Sequence, residues 1–387
     1  MNNSMKIFKI FGIDIKLHFT WWFVFALIAW SLSSTFFPQF FPNLSNQMYW
    51  IMGITASLLL FVSVLLHELS HSLVAKAKHI KVESITLFFF GGVAGITKED
   101  MKPSSELQMA LAGPIFSLML AGIFYLIYIF NGNIFWTAIT YYLWQLNLIL
   151  AIFNLIPGYP LDGGRAFRAL LYMYYKDLRK ATKIAVSFGR FFAGVLIFFG
   201  IFGLISGVGS GLWFIFLGGF LYFIGGVSYE QVIIKEVLGK IKVSELIDKK
   251  FVKLSSKMLF SDFVKKYENS VNDIFIVKDT DFFGIINLNE IRKMPFKMQQ
   301  NINLKQISLP MHQLRTLNVD DSAYDAFKSF AEQGLDLLPV IAKGKLLGVI
   351  TKKKVLHRLV WDLKFGINKK FVFKVKKNLK SMPKIKK

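Results

Sequence analysis

TASLLLFVSVLLHELSHSLVA, residues 55–75, places two imidazoles and a carboxylate inside a run of apolar residues. His67 and His71 are four apart, so on a helix they share one face. Glu68 follows directly on the first histidine. Ionisable groups inside a stretch long enough to cross a membrane are costly and usually functional. In the pattern H-E-x-x-H, two imidazoles bind Zn²⁺ and the glutamate serves as general base. The bare pattern arises by chance. Its setting makes it specific, because the chain holds six His in all and two of them fall here. The alternative is a pair of packed histidines, with the glutamate capping a neighbouring polar group.

The chain has 387 residues, 54% of them hydrophobic, and the excess lies before about residue 230. Six apolar stretches there are long enough to span a bilayer, at roughly 18–41, 48–75, 105–130, 133–155, 187–207 and 211–228. Lys and Arg alternate across the connections. Lys6, Lys9 and Lys16 precede the first span, and none lies between Pro38 and Gln47. Lys76, Lys78, Lys81, Lys98 and Lys102 follow the second span, and none lies between Asn131 and Asn133. Arg165, Arg168, Lys176, Arg179, Lys180 and Lys183 follow the fourth, and none lies between Gly207 and Gly211. This alternation predicts a multi-pass integral membrane protein with both termini in the cytoplasm. The net charge of +23 then belongs to cytoplasmic loops and a Lys-rich tail, and no nucleic-acid partner is expected without a base-stacking motif. With no Cys, a metal must be held by His and carboxylate. The apolar run after the charged N-terminus is too long for a signal peptide and reads as a retained span.

Zinc needs a third protein ligand and an open position. FNLIPGYPLDGGR, residues 153–165, supplies the best candidate. Pro157 and Pro160 interrupt the fourth span, and Asp162 sits alone in the unwound stretch. A carboxylate at that depth wants a cation. The alternative makes Asp162 a helix cap paired with Arg165. Topology gives an independent check: His71 lies about 7–8 Å along its helix from Lys76. Asp162 lies three residues before Arg165 at the cytoplasmic end of the fourth span, so all three candidates fall at similar depth. Between the second and third spans, SITLFFFGGVAGITKED (84–100) reads as a β-hairpin at the membrane boundary.

HELSH and NLIPGYPLDGGR together resemble the metal motifs of the site-2 protease family of intramembrane zinc metalloproteases. The resemblance covers about residues 6–225. GGVAG (91–95) is similar to the family's membrane-associated hairpin, GPIFSLML (113–120) to its small-residue motif, and FGIDIKLHFT (11–20) to its usual start. It implies one zinc ion held by His67, His71 and Asp162, with Glu68 as catalytic base. It also implies that Asn154 holds substrate or the developing oxyanion. Expected substrates are membrane proteins with a transmembrane segment. The hairpin edge at Phe89, Gly91, Gly92 and Val93 is expected to pair with an unwound substrate strand, or else to anchor at the interface.

After residue 229 the chain reads as a linker (229–241) and two similar units, 242–308 and 309–365, followed by a basic tail (366–387). DIFIVKDTDFFGIINLNEI (273–291) and DLLPVIAKGKLLGVITKKKVL (336–356) share the order strand, turn, strand, Gly, apolar strand, helix. They resemble a tandem of cystathionine-β-synthase (CBS) domains, which implies a cytoplasmic α/β pair binding ATP, ADP or AMP. Asn287, Glu290 and Thr351 match the family's nucleotide positions, while Lys354 stands where the pattern has Asp. The alternative for this block is a docking or dimerisation module, and a homodimer through it is expected. For the whole chain, the competing reading is a membrane transporter or channel with a CBS regulatory module. That reading leaves H-E-x-x-H and an aspartate at matching depth unexplained. The expected architecture is therefore a six-span α-helical membrane domain (1–228) with a small membrane-associated β-hairpin, joined to a CBS pair.

Overall fold

The computed structural model describes residues 4–88, 91–96, 101–207, 209, 211–249, 252–267, 274–279, 282–287, 302–342 and 345–367. The chain folds into two compact units, residues 1–230 and 231–387.

The first unit opens with a hairpin, β1 (Ser4–Ile10) and β2 (Ile13–His18), turning at Phe11 and Gly12, both with positive φ. Along β2 the period of two is plain: Ile13 and Ile15 are buried, with Asp14 and Lys16 between them less so. The first span, Thr20–Phe40, comprises α1 (Thr20–Ser31), a widened turn at Leu32–Phe36 and α2 (Phe37–Phe40). Next comes α3 (Asn46–Ala77), whose N-cap Ser45 accepts from the Met48 amide. Its 32 residues are about 48 Å long, more than the ~30 Å of a bilayer's hydrocarbon core. Met52, Ala56, Leu60, His67, His71 and Ala75 mark its buried face at helical spacing.

Strands β3 (Val82–Phe88) and β4 (Gly91–Ile96) follow. With the N-terminal hairpin they make one sheet in the order β1-β2-β3-β4. Strand β2 runs parallel to β3, with Asp14 opposite Ser84 and Leu17 opposite Leu87. The sheet's buried Ile13, Ile15, Ile85 and Leu87 pack in one core with Trp21, Phe61, Leu69 and Ala75. The expected hairpin is thus half of a larger sheet. The first two strands were not anticipated, because a charged start before an apolar run reads as a lead-in to a span. The alternation at 13–16 is the signal that marks them.

Four helices complete the membrane part: α4 (Pro103–Phe130), α5 (Ile134–Leu155), α7 (Leu178–Ile205) and α8 (Gly211–Gly239), with the short amphipathic α6 (Asp162–Tyr175) between α5 and α7. Among the described residues, six segments are long and apolar enough to cross a membrane. Two boundaries differ from expectation. Helix α7 starts at Leu178 rather than near 187, because Asp177 caps it by accepting from the Lys180 amide. Helix α8 continues unbroken through residues 229–239, expected as a separate linker helix. Outward positions such as Phe191, Phe198, Phe202 and Ile205 on α7 stay exposed, as lipid-facing surfaces do.

Among its described residues, the second unit holds two mixed sheets. One is β5 (Lys253–Leu254), β6 (Ile274–Lys278), β7 (Phe283–Asn287) and β8 (Leu309–Pro310), in that order. The other is β11 (Lys345–Thr351), β10 (Leu337–Ala342) and β9 (Leu317–Asn318). The two interlock. Val243 and Ser244, in the segment read as the start of the first repeat, donate to Asp321 and Val319 of the second. Asp248 exchanges backbone hydrogen bonds with Val349. The second repeat therefore takes up a segment that precedes the core of the first.

Candidate metal centre

His67 and His71 lie on the buried face of α3, six residues from its end in the case of His71. Asp162 is the first residue of α6, after the unwound stretch that closes α5. The close turn there depends on two glycines. A Cβ on Gly163 would lie 2.2 Å from the Leu155 carbonyl oxygen, and one on Gly164 2.2 Å from Gly158. Only glycine lets the chain fold back so tightly on α5.

The three donor atoms form a nearly regular triangle. His71 Nε2 is 3.2 Å from His67 Nε2, His71 Nε2 is 3.1 Å from Asp162 Oδ2, and His67 Nε2 is 3.2 Å from Asp162 Oδ2. Tetrahedral zinc with bonds of 2.0–2.1 Å has donor–donor edges of about 3.3–3.4 Å. The histidines are oriented from behind. His71 Nδ1 donates to the Met109 carbonyl at 2.6 Å, which leaves the Nε2 of the neutral ring a lone pair. His67 Nδ1 lies 2.8 Å from Ser117 Oγ. With His67 Nδ1 donating there, three acceptors face one another across about 3 Å, an arrangement that a bound cation would satisfy. The residues present fit one zinc ion, and two of them, His67 and Asp162, also line the adjacent cavity.

That cavity, of about 380 Å³, is bounded by His67, Glu68, Asn154 and Asp162 on its polar side. Apolar walls come from Val24 and Ile28 of α1, Leu60, Phe61 and Val64 of α3, and Leu150 of α5. Strand β4 covers one side. Gly92 lies so close to Glu68 that a Cβ would be 2.4 Å from its Cγ. Arg165 Nη1 is 3.9 Å from Asp162 Oδ1, so the pairing first considered for Asp162 coexists with the approach of the two histidines.

The structure thus brings together His67, His71, Asp162, Glu68, Asn154 and Gly92. Gly91 begins β4, and Val93 lies within that strand. Phe89 lies outside the described residues. Sequence reading missed Ser117 and the Met109 carbonyl, since a serine and a backbone oxygen in an apolar helix carry no metal signature. Gly113 belongs to a noted small-residue motif, and its reason is local: a Cβ there would lie 2.2 Å from His71 Nε2 and 2.5 Å from His67 Nε2.

The nucleotide positions are in the second unit. Asn287 ends β7, and Glu290 lies outside the described residues. Thr351 caps α13 (Lys352–Asp362), numbering α9–α12 as Val243–Leu246, Phe260–Tyr267, Leu304–Ile307 and Ala323–Gln333. Its hydroxyl accepts from the Lys354 amide at 3.3 Å. The Lys354 ammonium donates to the Ile247 carbonyl at 3.2 Å. Lys354 thus serves the interlock between repeats.

Comparison with known families places matches on both parts of the chain. The model of peptidase family M50 matches residues 55–135 and 131–197, and that of the CBS domain matches 304–360. A zinc metalloprotease of Methanocaldococcus jannaschii is 31% identical over 93% of this chain and 97% of its own. A protein of Synechocystis sp., named as a zinc metalloprotease, is 30% identical over 93% of this chain and 96% of its own. Among solved structures, a site-2 protease from M. jannaschii is 35% identical, covers 58% of this chain and 94% of its own, and superposes with a TM-score of 0.40.

Proposed function

Because the chain belongs to peptidase family M50, the site-2 protease family, and is a multi-pass zinc metalloprotease, we propose that it hydrolyses peptide bonds within the transmembrane segments of other membrane proteins. We assign the zinc ligands as His67, His71 and Asp162. The single observation that carries the assignment is their donor triangle, with edges of 3.1–3.2 Å, opening on the cavity that Glu68 and Asn154 share.

When bound, zinc supplies Lewis-acid polarisation of a scissile carbonyl and lowers the pKa of a water toward ~7. The protein's own groups do the rest. Glu68, next in sequence to a ligand and facing the same cavity, accepts the attacking water's proton and delivers it to the leaving nitrogen. Asn154 donates an N–H to the carbonyl oxygen as negative charge develops there. A helical substrate hides its carbonyls in internal hydrogen bonds, so it must unwind first. Strand β4 is an outer strand of its sheet and lies against Glu68, which supports it as the template for the unwound segment. The apolar cavity walls suit an apolar substrate side chain.

Lys and Arg on alternate connections support cytoplasmic termini. The CBS pair would then face the cytoplasm and bind an adenine nucleotide that sets the protease's rate. The test is a Glu68→Gln variant reconstituted in liposomes with a single-span substrate. It should retain zinc and lose cleavage. Full cleavage by that variant would remove Glu68 as the base.

A further inference from the structure

Helix α4 carries no metal ligand, yet one of its faces touches every ligand's support. Met109 receives His71, Gly113 lies against both Nε2 atoms, and Ser117 faces His67. The same face begins one turn earlier with Glu106, which is only 4% exposed. Its carboxylate accepts from Arg168 of α6, from Nε at 3.0 Å and from Nη2 as well, both on Oε1. The guanidinium also sits 4.9 Å from the ring centroid of Tyr159, in the unwound stretch three residues before Asp162. Arg168 lies six residues beyond Asp162 on the same short helix. A buried pair of this kind costs desolvation that its attraction roughly offsets, so it is weak evidence of a stabilising role. What it does supply is geometry: a forked, planar link between two rigid elements.

We propose that Glu106 and Arg168 are positioning residues that set the distance between Asp162 and the histidine pair, and thereby the affinity for zinc. This rests on His67, His71 and Asp162 holding the metal. Helix α4 would then be the common reference for all three: Ser117 and the Met109 carbonyl orient the rings, and the Glu106–Arg168 fork holds α6 in register. Tyr159, packed on the guanidinium, ties the loop ahead of Asp162 to the same fork.

The experiment compares the full-length protein in detergent with Arg168→Met, Arg168→Lys and the double variant Glu106→Gln/Arg168→Met. The readouts are zinc affinity by chelator competition and the Tm of the metal-free protein. Arg168→Met alone leaves a buried carboxylate unpaired and is expected to melt lower. The double variant removes both charges, so its metal-free Tm should return toward that of the unaltered protein. Its zinc affinity should nevertheless stay about 10-fold or more weaker, in the range that supporting partners of metal ligands command. Arg168→Lys, which keeps the charge and loses the fork, should fall between. A double variant that binds zinc as tightly as the unaltered protein would show the pair to be purely structural and overturn the proposal, even if Arg168→Met alone fails to fold. Asp162→Ala separates the two readings. If it binds zinc undiminished, the ligand assignment falls, and this inference with it. If it loses zinc while the double variant keeps it, only the inference falls.

Discussion

Replacing Gly113 by alanine tests the metal centre with one methyl group. The added Cβ would stand 2.2 Å from His71 Nε2 and 2.5 Å from His67 Nε2. Ordinary carbon–nitrogen contact needs about 3.4 Å or more, so one or both sides must yield by about 1 Å. The rings cannot simply swing away. Each is held at Nδ1, one by the Met109 carbonyl at 2.6 Å and the other by Ser117 at 2.8 Å. Both holding groups belong to the helix that carries Gly113, so pushing α4 back drags the rings' supports with it. Overpacking of this size costs about 1–3 kcal/mol. Zinc sites tolerate donor displacements of only about 0.2 Å, so most of the cost should appear as lost metal affinity, about 5- to 100-fold. Gly122, on the same helix, is the control: a Cβ there meets nothing within 4 Å. Zinc content after dialysis against a graded chelator series, with Tm measured on the same samples, reads both effects. Gly113→Ala should lose zinc at chelator concentrations that leave Gly122→Ala and the unaltered protein loaded. If Gly113→Ala holds zinc within about threefold of Gly122→Ala, the rings are not clamped as described and the metal does not lie where the donor triangle puts it.

Other perturbations probe the same site and the units around it. Ser117→Ala removes the only hydrogen-bond partner described for His67 Nδ1 and should weaken zinc about 10-fold, with little effect on the metal-free Tm. Gly189→Ala would place a Cβ 2.2 Å from the Tyr159 carbonyl oxygen, displacing the loop ahead of Asp162; cleavage of a liposome-embedded substrate should drop well below that of Gly194→Ala, whose Cβ meets nothing. Zinc removal should lower Tm reversibly, since a ligand at 100 times its Kd stabilises by about 2.7 kcal/mol, and a Tm indifferent to zinc would argue against the site. ATP or AMP added to the full-length protein should raise Tm and change the cleavage rate if the CBS pair binds nucleotide; no shift of either at millimolar concentration would count against that regulation.

The cluster of His67, His71 and Asp162 was legible because each member breaks a rule of its surroundings. Two imidazoles and a carboxylate in an apolar helix, and an aspartate in a proline-broken stretch, are too costly to be idle. The six spans were legible from length and charge alternation, and their ends were placed less well where a cap decided them. Asp177 draws the start of α7 back to Leu178 through its bond with the Lys180 amide, a local contact that no hydropathy window registers. The N-terminal strands were hidden for a related reason. Seven residues of β1 with exposed Met5, Ile7 and Phe8 lack the clean alternation of a half-buried strand, and only β2 shows it. The interlock of the repeats was beyond sequence reading altogether, since Asp248 and Val349 pair through backbone atoms 101 positions apart.

The groups proposed to align His67, His71 and Asp162 were hidden differently, and the difference is physical. Ser117 in a helix can satisfy its own hydroxyl on the preceding turn, so its presence among apolar residues asks for no partner. Gly113 reads as a packing glycine, and a backbone carbonyl such as that of Met109 is the same at every position. Glu106 reads as an acid in the first turn of α4, where the helix dipole welcomes it, and Arg168 reads as one more cation on a basic connection. Each has a sufficient local explanation, so none raises the suspicion that His67 or Asp162 raises. Their joint role becomes visible only when burial removes the local explanation: at 4% exposure Glu106 has little solvent to rely on, and its fork to Arg168 must be counted. Metal chemistry selects residue types and so leaves a mark in sequence. Alignment selects positions on a face, here 106, 109, 113 and 117, and that spacing is the one any buried helix shows.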